Sequence, residues 1–195
     1  MSKREPAWQA EALEVVRALR AGGVVLTSTD TVWGLACDAT QPEAVERMAA
    51  LKGRPAEKSF IALVADDGLF ARLLPDLPES GWELMEASDR PVTVVGQAGP
   101  RHGLAPGMVR ADGSLGVRRV DDPYLAFILR GVNRPLASSS ANLSGEASDG
   151  TFRSVPAAIV EAVDAVGTFR RDGAGGPPSW VVQFDADGRF KVLRP

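Results

Sequence analysis

Short apolar runs recur along this chain with helix-like patterns between them, and that alternation constrains the fold more than any other feature. The runs are Val24 to Thr27, Phe60 to Val64, Val92 to Gly96, Ser114 to Arg118 and Leu136 to Ser139. Before the first of them, a helix starting near Pro6 puts Trp8, Ala12, Val15, Val16 and Leu19 on one face and stops at Gly22-Gly23. Thr40-x-x-Glu43 reads as a capping box for a second helix, with Val45, Met48 and Ala49 inward and Gly53 at its end. Further helices are expected at Asp67 to Leu74, closed by Pro75, at Pro123 to Arg130, and at Pro156 to Val166 with Ser154 as cap. The last two runs, Trp180 to Phe184 and Phe190 to Leu193, are joined by DADG and read as a hairpin. An α/β layered domain with a mixed sheet follows.

A chain of 195 residues buries roughly 70% of its unfolded surface as one compact domain, so a single domain over 1–195 is expected. The Gly/Pro-rich GAGGPP, residues 173 to 178, reads as a mobile loop, because too few residues follow it for another domain. Cys37 is the one cysteine and cannot form an internal disulfide. The start MSKREPAWQAE lacks a signal-peptide core, and no apolar run approaches membrane-spanning length. These features predict a cytoplasmic protein without membrane contact.

The net charge of -3 and pI of about 5.3 exclude a general polyanion binder but leave room for a local basic cleft. Few reactive groups are available. The single histidine, His102, lies in the loop GPRHG and cannot by itself support a Ser-His-Asp mechanism. Cysteine and histidine are too scarce for a zinc site, and neither a Walker loop nor a dinucleotide fingerprint occurs. The chain offers hydroxyls, glycines and placed cations instead. Those suit transfer at a nucleotide phosphate, where positioning and charge stabilisation carry most of the rate.

Four stretches supply such residues. TDTVWG, Thr29 to Gly34, follows a buried strand, where it either caps a turn or meets a ligand. KGRPAEK, residues 52 to 58, holds two of the chain's four lysines around Arg54. Its cations complement a helix dipole or clamp a phosphate. SSSANLSG, Ser138 to Gly145, permits close backbone approach to an anion, or is a serine-rich turn. SLGVR places Arg118 on an otherwise apolar strand, where a guanidinium needs a partner.

In this order, T-D-T-V-W-G-L, K-G-R-P with a following lysine, S-L-G-V-R and S-S-A-N-L-S-G resemble the YrdC/TsaC family of threonylcarbamoyladenylate synthases, from about Gly22 onward. The resemblance implies a YrdC-like fold, a twisted open mixed sheet with one concave, positive face. It also implies the first step of N6-threonylcarbamoyladenosine synthesis on tRNA, in which L-threonine, bicarbonate and ATP give threonylcarbamoyl-AMP and pyrophosphate with Mg²⁺. Thr31, Arg118, Ser138 and Ser179 would then bind threonine. Lys52 and Arg54 would be catalytic and, with Lys58, would face the ATP phosphates. Ser114, Ser140, Asn142, Ser148 and Arg194 would complete the nucleotide surroundings, with Mg²⁺ carried by ATP near Ser140 and Asn142. The expected downstream partner is a threonylcarbamoyl transferase complex, with tRNA a further candidate.

Several positions depart from the family pattern: Ser28 for proline, Ser59-Phe60 for Pro-Leu, Asp89-Arg90 for Pro-Gly, Leu63 for a histidine and Trp180 for threonine. Two rival functions remain open, a carbamoyl-adenylate-forming enzyme of the hydrogenase-maturation type and a non-catalytic RNA-binding module. The first usually carries cysteine-rich zinc motifs. The second is disfavoured by an aromatic content of 6%.

Overall fold

The protein's computed structural model describes residues 6–53, 59–145, 148–173, 175–185 and 187–195. Its strands, in chain order, are β1 (Val25–Thr27), β2 (Gly34–Asp38), β3 (Ile61–Val64), β4 (Val92–Gln97), β5 (Ser114–Arg119), β6 (Leu136–Ser140), β7 (Ala165–Val166), β8 (Trp180–Phe184) and β9 (Phe190–Arg194). They form one sheet in the order β7-β1-β2-β6-β3-β5-β4-β8-β9. The pairs β1/β7, β3/β5 and β4/β8 are parallel and the rest antiparallel, so the sheet is mixed as expected.

Alternation along each strand sends successive side chains to opposite faces. Leu26, Leu35, Cys37, Ala62, Ala137, Val117 and Val94 point one way into a buried cluster. Helices α2 (Pro42–Leu51), α3 (Asp67–Leu73) and α4 (Glu79–Ala87) seal it with Met48, Phe70, Leu73 and the partly buried Trp82. Each such fully buried large side chain contributes roughly 1.5–3 kcal/mol. On the other face, α1 (Gln9–Arg20) and α5 (Pro123–Val132) cover Val25, Ala36, Leu63 and Leu136 with Val15, Leu19, Leu125 and Ile128. Register places Gly34, Ser138, Ser140, Ile61, Gly116 and Arg118 on that same face, beyond the helices. Small residues there leave a hollow.

Local differences from the sequence reading have local causes. The stretch after the first apolar run holds a further strand: β1 turns back into β2, with Thr27 paired to Gly34. Thr40 does not cap α2, whose first flanking residue is Gln41. Its amide and hydroxyl donate to Asp38 Oδ1 instead, at 2.8 and 2.7 Å. The helix expected over Pro156 to Val166 is only α6 (Ala157–Ala162), because Ala165 and Val166 pair with β1. α4 has no counterpart in the pattern, since Gly81 is its one fully buried residue and no apolar stripe marks it.

Candidate active site

Residues 28–33 form the loop of the β1/β2 hairpin, and the hydroxyls of Thr29 and Thr31 are used within it. Thr29 Oγ1 donates to the Val32 carbonyl at 2.7 Å and accepts the Thr31 amide at 3.0 Å. The contact of 2.9 Å between the Thr29 and Thr31 hydroxyls therefore takes its proton from Thr31. Arg118 Nη1 in turn donates to Thr31 Oγ1 at 3.0 Å. The segment is both a turn and the landing point of a buried cation.

That cation reaches the loop from β5 and is only 3% exposed. Its second nitrogen, Nη2, lies 2.9 Å from Asp30 Oδ1. Burial pushes the Arg118 guanidinium below its ordinary value; Asp30 opposes the shift, and the nearby positive charge of Arg194 adds to it. Burial likewise raises the Asp30 carboxyl, against the pull of Arg118. Arg118 Nε is buried and has no partner among the described residues. Thr31 and Asp30 thus engage two of its five N–H donors.

Arg194 comes from the far edge of the sheet. Its Nη2 donates to the Ser179 carbonyl at 3.1 Å and to Ser179 Oγ at 3.2 Å, and its Nε donates to the same carbonyl at 3.3 Å. Burial lowers this guanidinium too, and among the described residues no carboxylate pairs with it. Ser179 Oγ also contacts Thr93 Oγ1 at 2.9 Å.

β6 supplies the opposite wall. Ser140 Oγ hydrogen-bonds Asn142 Oδ1, and Lys52 Nζ donates to the Ser140 carbonyl at 2.6 Å and to the Asn142 carbonyl. The Ser144 amide donates to the Lys52 carbonyl at 3.0 Å, tying this loop to the end of α2. At Gly34 a Cβ would fall 3.0 Å from the Ser139 carbonyl oxygen, so the close strand pairing under this wall leaves little room for a side chain.

These walls enclose a cavity of about 380 Å³, within the range of small-ligand sites. Of the sequence-predicted residues, Thr31, Arg118, Ser138, Ser140, Asn142, Ser148, Ser179 and Arg194 all line it. Lys52 and Ser114 do not. Lys52 is buried with its ammonium spent on backbone carbonyls, and Ser114 lies buried at the start of β5. Arg54 and Lys58 fall outside the described residues. Leu63 sits under α1 and α5, away from the cavity, and His102 lies outside it, its Nδ1 accepting the Leu104 amide at 3.0 Å.

The sequence reading did not assign Asp30 as the partner of Arg118. A buried arginine beside a TDT turn was the available signal. Gly176 and Pro178, from the Gly/Pro-rich stretch, line the cavity. The Gly176 amide donates to the Thr31 carbonyl at 2.6 Å, which holds part of the 173–178 loop against the hairpin. The donors facing the cavity suit anions, and no metal-binding group of three or more His, Cys, Asp or Glu occurs among the described residues. The Ser140 hydroxyl and Asn142 amide oxygen fit a cation that arrives on phosphate and keeps its waters, not one held in a carboxylate cage.

The Sua5/YciO/YrdC family model, described as telomere recombination, matches residues 17–195. The chain belongs to this family. Two relatives of this Sua5/YciO/YrdC member are named threonylcarbamoyl-AMP synthase. That of Halorhodospira halophila is 40% identical over 65% of this chain and 65% of its own length. That of Stutzerimonas stutzeri is 34% identical over 78% of this chain and 82% of its own. P. abyssi Sua5 shares the fold: the H234A/Y235A form has a TM-score of 0.80 at 24% identity, covering 98% of this chain and 58% of its own. A second structure of that protein, complexed with L-threonine, has a TM-score of 0.75 at 22% identity, covering 99% and 55%. The Sua5/YciO/YrdC chain described here therefore spans little more than half of the P. abyssi protein.

Proposed function

We propose that this protein is a threonylcarbamoyl-AMP synthase, joining L-threonine, bicarbonate and ATP with release of pyrophosphate. The observation that carries the proposal is the convergence of Arg118 and Arg194 on one Ser/Thr/Asn-walled cavity, in a chain whose relatives bear that activity in their names. P. abyssi Sua5 has been seen with L-threonine, which supports threonine as the amino-acid substrate.

In this reading the threonine carboxylate meets Arg118, which lines the cavity and is held in place by Asp30 and Thr31. Ser138 and Ser179 border the same cavity. The amine nitrogen attacks the carbon of CO₂ and loses a proton, forming a carbamate; with bicarbonate the same attack breaks a C–O bond, and the hydroxide leaves with that proton as water. A carbamate oxygen then attacks the α-phosphorus of ATP, and the bond to pyrophosphate breaks. No protein nucleophile is required, because the chain's work is to orient the groups and to balance charge. Arg194 and the Ser140–Asn142 wall face the nucleotide, and Lys52 holds that wall in shape from beneath. Bound Mg²⁺ would neutralise phosphate charge beside Ser140 and Asn142. Gly176, Pro178 and the hairpin wall the cavity, which in this reading limits the access of water to an unstable carbamate.

The test is pyrophosphate release with ATP, Mg²⁺, bicarbonate and threonine. Release should require threonine and should fall about 100-fold or more in Arg118→Ala, the loss expected for a preorganised charge contact. Threonine-independent release, or full activity in that variant, refutes the assignment. The same reading puts the enzyme in the cytoplasm, where its product would pass to a downstream transferase and tRNA. Among the described residues no helix is long and apolar enough to cross a membrane.

A further inference from the structure

The chain entering β8 is tied to β4 and its approach at three consecutive positions. Arg90 Nη2 donates to the Pro178 carbonyl at 3.2 Å. Thr93 Oγ1 lies 2.9 Å from Ser179 Oγ. The Trp180 amide donates to the Pro91 carbonyl at 3.0 Å. Pro178 and Ser179 line the active-site cavity, whereas Arg90 and Trp180 stand behind them.

Arg90 is itself fixed in place. Its amide donates to Ser88 Oγ at 3.2 Å, and that hydroxyl donates to the Arg90 carbonyl at 2.8 Å. Its guanidinium carbon lies 5.4 Å from the centre of the Trp180 ring, a stacking distance for a planar cation. Its Nε is buried without a partner, and among the described residues it makes no ion pair. A guanidinium that forgoes a carboxylate to hold one neutral carbonyl, clamped by an indole, acts on the position of that carbonyl. Both residues are also departures from the family pattern, and the structure brings these two departures into contact.

We infer that Arg90 and Trp180 are a positioning pair for the amino-acid end of the cavity, acting through Pro178 and Ser179. The guanidinium fixes the carbonyl before Ser179, the ring keeps the guanidinium flat against the strand, and the serine hydroxyl is thereby held toward Thr93 and Arg194. The inference rests on the proposed reading in one respect, that Ser179 borders the threonine subsite. Its first readout does not depend on that reading.

Hydrogen exchange of the ligand-free protein tests the brace, and steady-state kinetics test its use. In Arg90→Ala the Trp180 amide should exchange about tenfold faster, as expected when one charge-assisted hydrogen bond is lost. Trp180→Phe, which keeps a ring face, should stay near wild type, and Arg90→Lys should fall between. The KM for threonine should rise about tenfold in Arg90→Ala, while the KM for ATP and kcat change less than about twofold. Unchanged exchange in a folded Arg90→Ala protein overturns the inference. So does a rise in both KM values together, which would mark a general loss of structure. Should Arg90→Ala fail to fold, Arg90→Lys carries the same comparison. If wild-type protein neither binds nor turns over threonine, the synthase reading fails, and the brace stands or falls on exchange alone.

Discussion

Replacing Arg118 by alanine should weaken folding in a way that depends on pH, and the sign follows from its partner. The ion pair with Asp30 is buried on the arginine side and partly buried on the aspartate side, with side-chain exposures of 4% and 15%. Breaking such a pair strands the remaining charge and costs about 3–5 kcal/mol; the partial exposure of Asp30 points to the lower end, about 3 kcal/mol. A chain of this length loses about 2–4 °C of Tm per kcal/mol, so the melting point should fall by about 6–12 °C at pH near 8. Burial already raises the Asp30 carboxyl, and Arg118 is the leading influence that lowers it. Without Arg118 the folded-state value rises further above the unfolded one. A group raised in this sense contributes stability that is fully present below the unfolded value and is lost as pH rises through the folded value. Arg118→Ala should therefore recover much of its deficit as pH falls from about 8 to about 5, as Asp30 takes up a proton. Adding Asp30→Asn should restore stability at the higher pH, since an amide carries no stranded charge. Thermal denaturation of both variants at the two pH values checks this. Equal deficits at both, or a double variant no more stable than the single, refute the account of the pair.

Lys52→Met should cost about 1–3 kcal/mol, because two part-buried carbonyls lose their charged donor, and it should depress pyrophosphate release by loosening the Ser140–Asn142 wall. Urea denaturation with wild-type stability would place the ammonium elsewhere. Cys37 is fully buried on β2, and burial beside Asp38 pushes its thiol up to about 12. Native protein should resist thiol reagents at neutral pH and react only as fast as it unfolds, so rapid stoichiometric labelling would contradict the packing of β2.

The layered α/β class was legible because strands and helices leave different periods in the sequence, and the runs 92–96, 114–118 and 136–139 lie within strands of the structure. β2 was missed because Gly34–Asp38 follows a turn-rich loop and mixes glycine, cysteine and aspartate in place of a β-branched run. β7 was missed because two residues have no period. The hydroxyl, amide and guanidinium residues of the cavity were also legible, since Arg118 on an apolar strand demands a partner and serine runs beside glycine suit an anion.

By itself the sequence determined which segments alternate, which residues are small or hydroxylated, and where cations interrupt apolar runs. Only the tertiary structure decided that Asp30 receives Arg118, that Arg194 arches to Ser179, that Lys52 turns inward to Ser140, and that Arg90 meets Trp180. Local patterns report on neighbours a few residues apart, whereas these partners are set by a strand order that places β9 beside β8 and β6 between β2 and β3. That order is a property of the whole packed sheet, settled by how the two apolar faces are buried, and no window of the chain contains it.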